Sequence, residues 1–98
     1  MELSHRSLTQ IMVLEIRLRH PDAVDFVPDA HAIDSIHFHM VAKKYDTIMY
    51  LFGYKFLLGI LEMFEECENY EVCSEIKRQI EAHNNMMYKD ENRIPTKR

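Results

Sequence analysis

Between Ile48 and Phe64 the chain reads IMYLFGYKFLLGILEMF, an apolar run interrupted by only two charges, Lys55 and Glu62. Extending it to Thr47–Cys67 gives a central helix with two seams. Leu57, Ile60, Phe64 and Cys67 keep 3-4-3 spacing, and Leu51, Tyr54, Leu58 and Leu61 repeat it on nearly the opposite side. A helix apolar on both sides needs cover on both, so either the flanking helices of the chain sandwich it or one seam is an interface, for which Leu51, Tyr54, Leu58 and Leu61 are the candidates. Gly53 and Gly59 lower helix propensity by about 1 kcal/mol each against alanine, which suits places of close backbone approach.

Ile33, Ile36, Met40 and Val41 follow helical spacing after the Pro28-Asp29 break, with His37 on the same face. This helix either bends near Lys43–Asp46, where Asp46 is a candidate cap, or continues into the central one. A last helix is predicted from Tyr70 to Asn84, with Cys73, Ile76, Ile80 and His83 at heptad-like intervals and His83-Asn84-Asn85 as a stop. Glu71 and Glu75 precede Lys77 and Arg78, the order that suits the helix dipole.

The amino-terminal third supports two readings. Ser7 could cap a helix carrying Leu8, Ile11, Met12 and Leu18, while Leu14, Ile16 and Leu18 alternate with Glu15, Arg17 and Arg19 as in a strand. Pro21-Asp22 is turn chemistry, so the competitor is a β-hairpin over residues 11–27. The favoured fold is mainly α: three or four helices in one domain over residues 1–88, ending in a helical hairpin, with a polar tail at 89–98. The alternative is α+β.

At 98 residues and 47% hydrophobic composition the chain can build one small core, for which help from a second copy or a partner is natural. Its formal charge of -4 gives no electrostatic footprint for nucleic acid or an anionic membrane. The central apolar run falls short of the roughly 20 residues that cross a bilayer. Two cysteines are no disulfide framework, and the chain reads as cytoplasmic.

Candidate chemistry is sparse. His31, His37 and His39 can ligate a metal as neutral imidazoles, but on a helix His37 and His39 point about 200° apart, and His31 is six residues from His37. Both glycines lie in the apolar run, which leaves no phosphate-binding loop. Cys73 and His83 are separated by about 15 Å of helix rise, too far for a nucleophilic pair. Glu65, Glu66, Glu68, Glu71 and Glu75 form a charge run of the kind that usually faces solvent. These observations argue against an enzyme and against any cofactor. The aromatic series Tyr45, Tyr50, Phe52, Tyr54, Phe56 and Phe64 divides between core packing and interface.

The hairpin corner is expected at Cys67, Asn69, Tyr70 and Cys73, with both thiols on its inner sides. Leu61, Cys67, Asn69, Tyr70, Glu71, Cys73, Ile76, Lys77, Arg78 and Ile80 match in kind the UVR motif, which residues 57–84 resemble. That motif is a helical hairpin of bacterial excision-repair subunits and some protease adaptors. Cysteines stand here for its alanines, and its Asp after the basic residue is absent near Gln79. The resemblance implies a non-catalytic hairpin that pairs with another hairpin. The function expected is therefore protein–protein interaction: an adaptor, regulator or assembly subunit using Leu51, Tyr54, Leu58 and Leu61, with itself or a foreign protein as partner. The alternatives are a metal-binding domain using His31, His37 and His39, and a structural component of a larger particle such as a viral one.

Overall fold

A computed structural model describes the backbone of residues 5–93 and the side chains of residues 7–85. Among the described residues the chain forms five α-helices and no strand: α1 (His5–Arg19), α2 (Ala30–Val41), α3 (Tyr45–Phe52), α4 (Tyr54–Glu66) and α5 (Tyr70–Arg93). A single 3-10 turn, Pro21–Ala23, follows α1.

The amino-terminal β-hairpin is overturned. Thr9, Met12, Val13 and Ile16 are buried at the i, i+3, i+4, i+7 spacing of one helical face, whereas Leu14 and Leu18 from the alternating set are exposed. Burying one face in period 3.6 secures four core positions, and the strand register would have secured only Ile16 among the alternating three. Ser7 is not the cap, because α1 has already begun at His5. Asp29 caps α2, its Oδ1 accepting from the Ala32 N–H at 2.9 Å. On α2, Ile33 and Ile36 are buried, Met40 is half-buried and Val41 is exposed.

The predicted central helix is two helices. Gly53 sits at φ 106°, ψ 152°, a conformation that closes α3 and opens α4 at one residue. Nothing lies within 4 Å of where its Cβ would be, so it marks a bend and not the close approach expected of it. Gly59 does mark one: a Cβ there would stand 2.7 Å from Cγ2 of the buried Ile16, where α1 crosses α4. The break at Gly53, together with a helical amino-terminal third, raises the count to five from the three or four expected.

The α2–α3 bend falls at Ala42–Lys44, with Lys43 at φ 60°, so the helix does not run straight through. Asp46 is not the cap but lies in the first turn of α3. Gln79 of α5 holds the bend from outside. Its Nε2 donates to the Lys43 carbonyl at 2.7 Å, and its Oε1 accepts from the Asp46 N–H at 2.8 Å. One amide therefore satisfies a carbonyl of the bend and an N–H at the start of α3, groups that helix termini leave without intrahelical partners. The backbone of α5 continues past His83-Asn84-Asn85 to Arg93, beyond the predicted stop at Asn84. Residues 94–98 of the predicted tail lie outside the described residues.

The core is one cluster drawn from all five helices and the α1–α2 connection, with Phe56, Ile16, Ile36, Ile48, Leu57, Ile60 and Ile76 fully buried. Phe26, from that connection, lies edge-on to Phe56 at 5.2 Å between ring centroids and tilts against Phe52 at 4.9 Å. These ring geometries are the favourable ones for aromatic pairs, and they fasten the connection over the α3–α4 break.

Candidate functional site

Because α4 uses Phe56, Leu57, Gly59 and Ile60 to face the core, its opposite side is left outward. Leu51 is 51% exposed at the end of α3, Tyr54 49% at the start of α4 and Leu58 37% one turn further. Leu61 turns inward, half-buried against the core. In the other seam Leu57 and Ile60 are fully buried, Phe64 is half-buried and Cys67 is exposed. The aromatic series divides likewise: Tyr45 and Phe56 are buried, Phe52 and Phe64 half-buried, and Tyr50 and Tyr54 exposed.

Two open hollows flank the outward seam. One, of about 430 Å³, is lined by Met49, Tyr50, Tyr54, His83 and Asn84. The other, of about 280 Å³, lies beside Leu58 and is edged by His20, Asp22, Lys55 and Glu62. Its rim is held by Lys55 Nζ on Asp22 Oδ2 at 2.9 Å and by His20 Nε2 on Glu62 Oε1 at 2.8 Å. Arg19 adds a clasp from α1, pairing with both Glu15 and Glu66. The surface is thus apolar along its centre and charged at its edge, the usual anatomy of a protein-binding patch.

The corner is built differently from expectation. Glu68 takes the left-handed conformation at φ 58°, and the Asn69 N–H donates back to the Phe64 carbonyl at 2.9 Å. Asn69 Oδ1 accepts from the Val72 N–H at 3.4 Å, which makes Asn69 the cap of α5. Cys73 is buried, but Cys67, one residue past the end of α4, is exposed, so only one thiol lies inside the hairpin. Tyr70 is exposed.

The histidines are dispersed. His31 is exposed at the start of α2, His37 Nδ1 lies 3.3 Å from Thr9 Oγ1, and His39 Nδ1 donates to the Ser35 carbonyl at 2.8 Å. Among the described residues no three His, Cys, Asp or Glu side chains are grouped as metal ligands. Cys73 is buried whereas His83 is exposed ten residues along the same helix. No helix among the described residues is long and apolar enough to cross a membrane.

Of the helical set Leu8, Ile11, Met12 and Leu18 expected from the sequence, only Met12 is buried: Leu8, Ile11 and Leu18, with Leu14, lie exposed along α1 as a second apolar stripe. The signal was available, since α1 carries large apolar residues on more than the one face a core can cover.

Several surface carboxylates are held ionised by their neighbours. Arg78, then Gln79, bring Glu75 down to about 2, Arg19 lowers Glu66, and Lys55 lowers Asp22. A folded-state value below the unfolded one stabilises the fold above the unfolded value, and that contribution is lost as pH falls through the folded value. Thermal unfolding followed by circular dichroism should therefore show the melting temperature dropping as pH is lowered from the usual carboxylate range toward 2, with a shallower fall in Glu75→Gln. An identical pH profile in that variant would contradict the pairing.

No protein-family model matches the chain, and comparison with curated proteins and with solved structures finds no match either.

Proposed function

We propose that this chain is a non-enzymatic protein-interaction domain, a small adaptor, regulator or assembly subunit that binds through the Leu51, Tyr54 and Leu58 surface. The observation that carries this reading is that no described part of the fold covers these three side chains, although α4 buries Phe56, Leu57, Gly59 and Ile60 on its other side. Large apolar and aromatic side chains grouped between hollows and rimmed by ion pairs suit a partner that brings its own anchors. The likeness of residues 57–84 to the UVR hairpin supports the same reading, because such hairpins act by pairing with a second hairpin. The partner is a second copy or a larger protein.

Tyr54→Ala or Leu58→Ala should each weaken association by about 2 kcal/mol, a change of some thirtyfold in Kd, with little loss of melting temperature. Light scattering across a concentration series measures the first quantity and circular dichroism the second. If Leu58→Ala lowers the melting temperature and leaves association untouched, Leu58 belongs to the core and this reading falls.

A further inference from the structure

The first turn and the middle of α5 carry opposite chemistry. At mid-helix the α2–α3 bend brings Lys43 and Lys44 to a hollow beside Arg78 and His83. One acid, Asp46 from α3, lines the same hollow, and Glu75 nearby is taken up by Arg78 and Gln79. Lys43 and Lys44 enter no ion pair among the described residues. His83 also lines the apolar hollow of Met49, Tyr50 and Tyr54, so the two recesses adjoin around it. This side of α5 offers two ammonium groups outside any close ion pair among the described residues, Lys43 also feeling the Glu75 carboxylate, next to an aromatic recess.

The start of α5 is the α4–α5 corner, where carboxylates crowd. Glu65 pairs with Lys77 at 3.5 Å and Glu66 with Arg19, whereas Glu68 and Glu71 enter no ion pair among the described residues. Between them Tyr70 projects with 64% of its surface exposed. The corner thus presents two carboxylates and one aromatic ring, the complement in number and kind of what the hollow offers. Thirteen residues of helix separate Tyr70 from His83, about 20 Å at 1.5 Å per residue, so the corner and the hollow cannot meet within one chain.

We propose that the acidic corner of one copy seats in the basic and aromatic hollow of a second copy, with Tyr70 entering beside Tyr50 and Tyr54 while Glu68 and Glu71 meet Lys43 and Lys44. This rests on the reading of the Tyr54 surface as a binding face and names its occupant. Exposed ion pairs contribute little individually and are screened by salt, so the ring contact supplies adhesion and the charges set orientation and partner choice. A pair in which each corner reaches the other's hollow closes as a dimer, and a pair that uses one contact grows end to end.

Charge reversal tests the contact. In low salt the wild-type chain should associate with rising concentration, and raised salt should weaken it. Lys43→Glu/Lys44→Glu and Glu68→Lys/Glu71→Lys should each associate roughly tenfold or more weakly, and an equimolar mixture should recover association, because opposite charges face each other again. Circular dichroism of each variant checks folding, and the salt response of the wild type reads the contact without any substitution. A wild type that stays monomeric, or associates indifferently to salt, overturns the proposal, as does a folded pair of variants whose mixture recovers nothing. If both reversals associate like the wild type while Tyr54→Ala does not, the binding face stands and this occupant falls.

Discussion

Phe56→Ala should cost about 3–5 kcal/mol of folding stability, the range for deleting a large ring from a close-packed interior. Phe56 is fully buried and contacts Phe26 edge-on at 5.2 Å and Phe52 at 6.0 Å, so its removal opens a void that two other rings line. The loss has two parts: the apolar surface of the ring, and the contacts its neighbours forfeit because the helices cannot collapse fully onto the gap. Small domains hold about 5–15 kcal/mol in total, so the variant should unfold at a much lower denaturant midpoint. Phe26→Ala, made at a half-buried position on a connecting segment, should cost less. Equilibrium urea unfolding decides it. A loss below about 1 kcal/mol for Phe56→Ala would mean that the aromatic trio does not fasten the α1–α2 connection over the α3–α4 break.

Gly53→Ala should destabilise by about 3 kcal/mol, even though the site has open space around it. With φ 106° and ψ 152°, Gly53 occupies a region that is essentially restricted to glycine, where an added Cβ strains the backbone. The usual gain from replacing glycine by alanine in a helix is about 1 kcal/mol, and it is recovered only if α3 and α4 fuse into one straight helix. Fusion would pull Tyr45 and Ile48 away from the core they fill. The expected result is a lower melting temperature with near-unchanged helical content by circular dichroism. A variant as stable as the wild type would show that the break is not needed for packing.

The hairpin at the carboxy-terminal end was readable in residue order alone. Cys73, Ile76 and Ile80 are the positions α5 buries, and the run of Leu57 and Ile60 is the face α4 turns inward. The outward Leu51, Tyr54 and Leu58 were readable too, because a helix apolar on opposite sides cannot bury both in a small domain. Leu61, grouped with them by spacing, lies inward: the seam drifts around the helix, and α5 covers its far end. Cys67 went the other way for a local reason, since the left-handed turn at Glu68 starts before the thiol can enter the interface.

Sequence by itself determined that this chain is mainly helical, where the buried positions of α2, α4 and α5 lie and that apolar surface remains beyond what one core covers, whereas in α1 it pointed to Leu8, Ile11 and Leu18, which are exposed. These are consequences of spacing, which local geometry converts directly into faces. Three things were left to the tertiary structure. Whether residues 11–27 become helix or hairpin depended on Thr9, Met12, Val13 and Ile16 finding α2 and α4 to pack on. Whether Gly53 is a weak spot or a break depended on Tyr45 and Ile48 reaching the core, a gain that exists only once the other helices are assembled. And Gln79, a polar residue with no periodic signal, became the clasp of the α2–α3 bend, because partners 33 and 36 residues away in the chain are brought to it only by the fold.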